Sequence, residues 1–261
     1  MLAGYRLVSF ESVGSTNTEA MTRARAGERG PMWFVTSEQT AGRGRRHRPW
    51  IVPRGNLASS ILEVLDVSPA AAATLGFAAG LALESALRRV SFEVSLGSVR
   101  SEDMFFSLKW PNDVLAGGKK LAGILLEAEA VTEKSLAVVV GIGTNVIAAP
   151  EGTATPVTSL AELGVYISAE ELFAELSDAW ADFSGIWDNG RGFEEIRRLW
   201  LERATGLGQP VAIHTGSSTV EGIFDSIDEV GCMVVRASGG KRVSISAGDV
   251  YFGSASSAGA A

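Results

Sequence analysis

The pattern of the sequence changes near Gly206, and this change restricts the possible folds more than any other feature. Up to that residue, short apolar β-prone segments alternate with longer segments of helical periodicity. After it, only short β-prone segments separated by turns remain. Strands mixed with helices, followed by strands alone, predict an α+β fold with a small β-barrel at the C-terminus. We expect a large domain at residues 1–206, a small β domain at 207–253 and a disordered tail at 254–261.

The large domain contains clear signals for helices and strands. Thr16 and Glu19 have the spacing of a capping box, which predicts the start of a helix. The long apolar segment that begins at Pro69 contains Glu84, which indicates a buried helix and not a membrane span. The valine run at 138–140 predicts a central strand that is buried on both faces. The predicted helices are 16–27, 69–89, 168–186 and 193–205, and the predicted strands are 5–10, 32–37, 56–65, 90–94, 135–146 and a pair on either side of a turn at 117–118.

The composition argues against several classes of protein. The 261 residues carry a formal net charge of −7, which argues against a general nucleic-acid binder, although a local basic segment can still bind nucleic acid. The single cysteine, Cys232, allows no disulfide within the chain, and this fits a reducing cytoplasm. One cysteine and two histidines also argue against a zinc site built from these residue types.

The segment at residues 39–50 combines four arginines, two glycines and a final tryptophan in an acidic chain. Arginine matches the geometry of phosphates and carboxylates, and glycine lets the backbone approach a ligand closely. The indole of Trp50 offers a flat face on which a nucleotide base can stack. These features predict a site for a nucleotide or another anionic small molecule. From this segment alone, a solvated basic loop and a nucleic-acid-binding loop remain open as alternatives.

A second polar cluster lies within residues 105–126, where two strands are expected to flank a turn. Pro111 cannot donate a backbone hydrogen bond, so the strand should be irregular just before Asn112 and Asp113. Asp113 is a candidate ligand for a Mg²⁺ ion that carries a nucleotide, and Lys120 is a candidate partner for a phosphate or carboxylate. The alternative is that Asn112 and Asp113 only form a turn and that the lysine is solvated.

Two further segments are compatible with a ligand site. Ser15 and Thr16 stand at a helix start, where the spacing alone favours capping over contact with a ligand. Gly141 and Gly143 follow the valine run and indicate a close approach to the strand. The sequence contains neither the dinucleotide-binding glycine fingerprint nor a Walker-type phosphate loop. Binding of ATP would therefore require another architecture.

Taken together, five motifs of this chain resemble those of the biotin–protein ligases. They occur in the order typical of that family, and with the C-terminal β segments they extend over nearly the whole chain. Each motif is weak alone, whereas the set is highly specific. The motifs are Ser15-Thr16-Asn17, Gly42-Arg43-Gly44-Arg45-Arg46-His47-Arg48-Pro49-Trp50, Lys109-Trp110-Pro111-Asn112-Asp113, Lys120-Leu121-Ala122-Gly123-Ile124-Leu125 and Gly141-Ile142-Gly143-Thr144-Asn145.

The resemblance implies a fold and a two-step reaction. The fold is a mixed β-sheet flanked by helices, similar to class II synthetases and to the biotin–lipoate ligase catalytic domain, with a small SH3-like β-barrel after it. In the first step, the carboxylate of biotin attacks the α-phosphate of ATP in the presence of Mg²⁺ and gives biotinyl-5′-AMP and pyrophosphate. A lysine of a biotin carboxyl carrier protein, a subunit of an acyl-CoA carboxylase, then attacks the mixed anhydride. Biotin and ATP are thus substrates, and no tightly bound cofactor is expected.

The resemblance also implies roles for individual residues. Arg43, Arg45 and Lys120 are expected to be catalytic, and Asp113 is the expected Mg²⁺ ligand. In the family the arginine-rich loop is mobile until ligand binds and then closes over the adenylate. The positions that match biotin-binding residues are Ser15, Thr16, Gln39, Gly42, Arg43, Arg45, Lys120 and Gly123. The positions that match nucleotide-binding residues are Arg45, Arg48, Trp50, Asn112, Lys120 and Asn145.

The chain departs from the family pattern in three places. Some relatives carry an N-terminal winged-helix domain and repress transcription, whereas the motifs here begin close to Met1, so we expect a ligase without repressor activity. His47 and Pro49 occupy positions that are often glycine and lysine in relatives, which should stiffen the loop. The segment at 95–103, which we expect to be an exposed loop, is longer than the family pattern predicts.

Two other functions remain open. A lipoate or octanoate ligase shares the general fold, but octanoyl transfer needs a nucleophilic cysteine near a lysine, and Cys232 lies in the β domain. Lipoate ligases lack the arginine-rich loop in this form. A nucleic-acid-binding regulator is opposed by the acidic chain and by the absence of a helix-turn-helix pattern. We expect a cytoplasmic enzyme, a monomer or a homodimer, without a nucleic-acid or membrane partner.

Overall fold

The computed structural model describes residues 4–95, 106–216 and 218–252. Within these residues, two β-sheets are present, and α-helices pack on both faces of the larger sheet. The strands of the larger sheet are β1 (Arg6–Phe10), β2 (Met32–Thr36), β3 (Leu57–Leu65), β4 (Phe106–Lys109), β5 (Asp113–Ala116), β6 (Lys119–Ala130) and β7 (Leu136–Thr144). The helices are α1 (Thr16–Arg25), α2 (Pro69–Ser95), α3 (Ala169–Trp187) and α4 (Phe193–Glu202).

The larger sheet is mixed, as predicted, and its strand order is β1-β2-β3-β7-β6-β5-β4. Strands β1 and β2 pair in parallel, whereas the remaining neighbours in this order pair antiparallel. Strand β7 lies at the centre, and its valines at 138–140 are buried, which confirms the prediction for that run. Successive side chains of a strand point to opposite faces, so β7 contributes to both sides of the sheet.

Two apolar layers cover the faces of this sheet. Helices α2, α3 and α4 pack on one face, and α1 packs on the other. In α2, Leu75, Leu81 and Leu83 are fully buried, and burial of each leucine contributes on the order of 2 kcal/mol to folding. The segment Pro69–Phe92 is long and apolar enough to cross a membrane, but 72% of its apolar window is buried inside the protein. The helix is therefore a core element, as the sequence predicts.

Three expectations differ from the structure or lie outside it. The strand predicted at 90–94 is wrong, because Val90 continues the buried face of α2 at helical spacing from Ala86 and Leu87. The capping box predicted at Thr16 is also wrong, since Ser15 is the N-cap and accepts a hydrogen bond from the backbone N–H of Thr18. The predicted loop at 95–103 lies outside the described residues apart from the end of α2, and so does the predicted tail at 254–261.

The C-terminal strands are β8 (Pro210–His214), β9 (Thr219–Ile227), β10 (Met233–Arg236), β11 (Arg242–Ile245) and β12 (Asp249–Phe252). They form an antiparallel sheet with the order β11-β10-β9-β8-β12. This agrees with the expected SH3-like domain, although no pairing of β11 with β12 closes a barrel within residues 207–216 and 218–252. Ile213 and Phe224 of this sheet belong to the same apolar core as α2, so the two sheets share one core. The predicted boundary at 206 stays a prediction.

Candidate active site

A cavity of about 380 Å³ lies between the start of α1, the large sheet and the segment at residues 39–50, which we call the arginine loop. Part of a second loop, residues 153–155, and Asp249 at the start of β12 complete its wall. A cavity of this size is large enough for a small organic ligand. The predicted site residues that line it are Ser15, Thr16, Gln39, Arg43, Arg45, Arg48, Trp50, Asn112, Asp113, Lys120, Gly123 and Asn145.

The floor of the cavity consists of two rows of residues that run across neighbouring strands. Each row contains one glycine of β7. At either glycine, the Cβ of an alanine would collide with a side chain above the row. At Gly143 that Cβ would lie 2.3 Å from Trp50 Nε1, and at Gly141 it would lie 2.2 Å from Asn17 Oδ1. Both glycines are therefore needed for space. The first row is Ala58, Gly143, Gly123 and Asp113, and the second row is Ser60, Gly141 and Leu125. All of them line the cavity except Ser60, which is fully buried beside it.

The arginine loop folds back on itself above the first row. The backbone N–H of Trp50 donates to the Gly42 carbonyl at 2.9 Å, and that of Gly44 donates to the Arg48 carbonyl at 2.7 Å. Arg46 has a φ of 55°, in the left-handed region that non-glycine residues adopt rarely. This folded loop presses the Trp50 indole against the glycines of the first row, and Lys120 Nζ lies 5.3 Å from the centroid of the indole.

A buried polar network borders the second row. Gln39 Oε1 accepts hydrogen bonds from the backbone N–H of Thr16 at 2.8 Å and from its hydroxyl at 3.1 Å. Ser60 Oγ lies 2.7 Å from Thr16 Oγ1 and 2.6 Å from Asn17 Oδ1, and its single hydroxyl hydrogen is donated to one of these two oxygens at a time. Asn17 Nδ2 donates to Glu127 Oε2 at 2.8 Å. These bonds fix the side-chain orientations at this end of the cavity and present hydroxyl and amide groups to a neutral polar ligand.

Four cations line the cavity, and each has a protein partner on a different element. These charge contacts are partly exposed, and such contacts contribute little net stability. A ligand phosphate or carboxylate can therefore replace the protein partner at small cost. The partners are Glu127 for Arg43 at 3.2 Å, Asn112 for Arg45 at 3.1 Å, Asp249 for Arg48 at 2.8 Å and Asp113 for Lys120 at 2.7 Å.

Burial and neighbouring charges shift several pKa values at the site. Burial lowers the pKa of Arg45, and the charge of Arg46 lowers it further. Burial also lowers the pKa of Lys109 at the end of β4. Burial alone would raise the pKa of Asp249, but its hydrogen bond with Arg48 and the arginine charges outweigh this, so the pKa is lowered overall. A partly desolvated cation such as Arg45 interacts more strongly with an incoming anion than a hydrated one does.

Asp113 is the predicted metal ligand, and its surroundings limit the kind of metal site. Its buried Oδ1 lies 2.7 Å from Lys120 Nζ, but the contact lacks the angles of a hydrogen bond. In the ranges 4–95, 106–216 and 218–252, no cluster of three or more His, Cys, Asp or Glu side chains could hold a metal ion. One carboxylate fits Mg²⁺ when substrate phosphates and waters supply the other ligands. The residues thus fit an ion that enters with a nucleotide.

One predicted site residue, Gly42, does not line the cavity. It lies at the base of the arginine loop, where an added Cβ would be 2.4 Å from the Trp50 carbonyl oxygen. The functional roles of the other predicted residues stay predictions. Sequence reasoning missed Glu127, although it follows Gly123 at the even spacing that places both on one face of β6. It also missed Asp249, which no local pattern connects to the arginine loop.

Comparison with known proteins gives matches over both sheets. Residues 9–145 match the model of the Biotin/lipoate A/B protein ligase family, and residues 206–253 match that of the Biotin protein ligase C terminal domain. A biotin--[acetyl-CoA-carboxylase] ligase from Paracoccus denitrificans is 40% identical over 92% of this chain and 97% of its own. One from Mycobacterium tuberculosis is 35% identical over 91% of this chain and 85% of its own. The solved structure of a biotin protein ligase from Aquifex aeolicus in complex with biotin and ATP has a TM-score of 0.74 at 25% identity, and the match covers 95% of this chain and 99% of that one.

Proposed function

Because the chain belongs to the biotin/lipoate A/B protein ligase family, we propose that it is an ATP-dependent biotin–protein ligase. It activates biotin as biotinyl-5′-AMP and transfers it to a lysine of a biotin carboxyl carrier protein in the cytoplasm. The observation that carries this proposal is the convergence of four cations, an indole and a buried hydroxyl–amide network around one cavity. Such a site suits two anionic substrates, one with an aromatic base and one with a neutral polar ring.

Biotin binds along the second row in this proposal. Its neutral ureido ring exchanges hydrogen bonds with Ser15, Thr16 and Gln39. The buried network orients Thr16 and Gln39, and the N-cap hydrogen bond from Thr18 orients Ser15. Its carboxylate extends towards Arg43 and Lys120, which neutralise it. ATP binds along the first row, where its base stacks on Trp50 and its phosphates meet Arg45, Arg48 and Lys120. Asn112 and Asn145 lie on the nucleotide side of the cavity.

In the first step, a carboxylate oxygen of biotin forms a bond with the α-phosphorus of ATP while the bond to the bridging oxygen breaks. Pyrophosphate leaves with that electron pair. Two anions approach each other in this step, so Arg43, Arg45 and Lys120 act by offsetting their repulsion and the charge that develops on the phosphate oxygens. The residues also hold the two reacting groups in line, which contributes through orientation. Mg²⁺, held by Asp113 together with phosphate oxygens, would supply further neutralisation of the phosphates.

In the second step, the neutral amine of the carrier lysine attacks the acyl carbon of biotinyl-5′-AMP. A C–N bond forms, the bond from carbon to the phosphate oxygen breaks, and AMP leaves with that electron pair. The amine loses one proton to solvent. The arginine loop covers the cavity between the two steps and shields the anhydride from water. A carrier lysine must reach the cavity before hydrolysis occurs.

Intact-mass spectrometry of a carrier domain tests the proposal. The carrier is incubated with the protein, ATP and Mg²⁺, and with biotin, lipoate or octanoate in parallel reactions. We expect a mass increase of one biotin minus one water, with biotin only and only when ATP is present. Modification with lipoate or octanoate alone would assign the protein to the other activity of its family. A competent carrier that gains no mass with any of the three acids would contradict the ligase assignment.

A gel-shift measurement with DNA at low salt, in the presence of biotin and ATP, tests the remaining alternative. We propose that the protein binds no nucleic acid and has no repressor activity, because the chain carries a formal net charge of −7, which opposes general binding to the nucleic-acid phosphate backbone. Sequence-specific retardation of DNA would contradict this part of the proposal.

Sedimentation of the same preparation gives the oligomeric state. Both a monomer and a homodimer are compatible with the family.

A further inference from the structure

One carboxylate of the C-terminal sheet holds two side chains of the arginine loop. Asp249, the first residue of β12, accepts a hydrogen bond from Arg46 at 2.7 Å and one from Arg48 at 2.8 Å, both on Oδ2. In the sequence, Asp249 lies 203 residues after Arg46 and 201 residues after Arg48. The C-terminal sheet is thus joined directly to the segment that covers the cavity.

The contact with Asp249 lies at the tip of the loop, around Arg46, where it can stabilise the conformation of the loop. The ends of the loop are held by backbone hydrogen bonds, such as that from Ala41 N to the Gly14 carbonyl at 2.8 Å. The tip, in contrast, contains Arg46 in a left-handed conformation that is costly for a residue with a side chain. Two charge-assisted hydrogen bonds to Asp249 offset that cost at the tip itself. Without these two hydrogen bonds, the left-handed conformation of Arg46 would be less stable relative to other conformations of the tip.

Asp249 also lines the cavity, where it stands beside Arg48 and the loop residues that face the ligand. A carboxylate in a site that binds anions is unfavourable unless cations hold it, and Arg46 and Arg48 do so here. Arg48, which also lines the cavity, can interact either with Asp249 or with a ligand anion. The carboxylate is therefore suited to hold the loop over the cavity before the ligand's own negative charge arrives.

We propose that Asp249 is a positioning residue that anchors the arginine loop over the cavity in the free protein, so that the loop of this chain is restrained before ligand binds, unlike the mobile loop of the family pattern. Through this contact the C-terminal sheet restrains the loop at its tip and keeps Arg45 and Trp50 close to their places on the floor. An anionic ligand then takes over part of the restraint by binding Arg48. The inference about the free protein does not depend on the proposed reaction, whereas its consequence for turnover rests on it.

Limited proteolysis of the ligand-free protein by trypsin tests the anchor. Trypsin cleaves after arginine, so the rate of cleavage within the arginine loop measures how often the loop opens. Mass spectrometry identifies cuts after Arg43, Arg45 and Arg46. Asp249→Asn keeps the shape of the side chain and changes no trypsin site. We expect loop cleavage to be about threefold faster or more, because two partly exposed charge contacts are lost. Asp249→Glu keeps the carboxylate and should restore slow cleavage.

The chain offers a matched control in the same sheet. Asp225 of β9 also accepts contacts from two arginines, Arg236 at 3.3 Å and Arg242 at 2.8 Å, and it does not line the cavity. Asp225→Asn should therefore leave loop cleavage unchanged. High salt, which screens exposed charge pairs, should speed loop cleavage in the original protein and have little effect in Asp249→Asn.

Two results would overturn the inference. Equal rates of loop cleavage in the original protein and in Asp249→Asn would show that the carboxylate does not restrain the loop. An equal acceleration in Asp249→Asn and Asp225→Asn would indicate general loosening of the C-terminal sheet, which thermal unfolding of both variants would also record. Neither result would affect the carrier-modification experiment, so failure of the anchor is distinguishable from failure of the ligase proposal.

Discussion

Replacement of Gly143 by alanine should weaken ATP binding and leave biotin binding nearly unchanged. The added Cβ would lie 2.3 Å from Trp50 Nε1 and 2.6 Å from Cε2, whereas ordinary contacts begin near 3.4 Å. The backbone of Gly143 is outside the left-handed region, so alanine itself is tolerated there. The clash is therefore relieved by the indole, which must retreat by about 1.1 Å. A shift of that size displaces the surface on which the base stacks.

The expected magnitude follows from the strength of stacking. A base stacked on an aromatic side chain contributes about 1–3 kcal/mol, which corresponds to roughly 5- to 150-fold in affinity. Loss of about half of this free energy, about 1 kcal/mol, predicts an increase in KM for ATP of roughly fivefold. KM for biotin should change by less than about twofold, since Gly143 lies outside the second row. Release of pyrophosphate, measured with each substrate varied in turn, gives both constants.

A second glycine on the same strand provides the matched comparison. The Cβ of Gly141→Ala would lie 2.2 Å from Oδ1 of Asn17, which is buried and hydrogen-bonded to Ser60. This variant should raise KM for biotin and leave KM for ATP less affected, which is the reverse of Gly143→Ala. Gly76→Ala, in α2, places its Cβ in open space and should alter neither constant.

A double variant refutes or supports the reasoning for Gly143. If its effect acts through the indole, Trp50→Ala combined with Gly143→Ala should bind ATP no more weakly than Trp50→Ala alone. Fully additive effects would show that Gly143 acts by another route. An unchanged KM for ATP in Gly143→Ala, together with a raised one in Trp50→Ala, would mean that the indole leaves the floor when ATP binds. Equal increases in both constants would contradict the division of the floor into two rows.

Three further variants test the charges of the site and of the core. Lys120→Ala should reduce pyrophosphate release by about a hundredfold with little change in thermal unfolding, while Lys119→Ala, an exposed neighbour, should keep activity. Glu127→Gln removes the charge that faces Arg43 and should raise KM for biotin a few-fold in the same assay. An unchanged KM for biotin would show that Glu127 does not position Arg43. Glu84→Ala removes a buried carboxylate that pairs with two partly exposed arginines, and it should lower the free energy of unfolding, measured in urea, by about 2 kcal/mol with both KM values unchanged.

The elements of the fold were largely predictable because their signals are local. The central strand at 136–144, the apolar helix that begins at Pro69 and the five C-terminal strands follow from hydrophobic periodicity and turn residues within short windows. The strand predicted at 90–94 failed because β-branched Val90 has the same burial in a helix as in a strand, and the helical spacing from Leu87 decides.

The candidate site was predictable only in part. Residues within sequence motifs, such as Lys120 and Trp50, could be assigned to one cavity because the motifs resemble those of a family. Glu127 and Asp249 contact arginines of the arginine loop from β6 and from the C-terminal sheet. The even spacing from Gly123 assigns Glu127 to a face of β6 but does not show that Arg43 lies there, and no local pattern connects Asp249 to the loop. Pairing register and the docking of the C-terminal sheet had to be known first.

Strand β7 explains how one element can support both the core and the site. Its even-numbered residues, Val138, Val140 and Ile142, point into the core beneath α2. Its odd-numbered side begins with Ala137 and Val139 under α1 and then changes to the glycines of the two rows, at 141 and 143. Stability therefore depends mainly on one face of the strand, and space for ligands depends on the other. Because the valine face holds the strand in place, the glycine face can remain open, and substitutions on the two faces should affect different measurements.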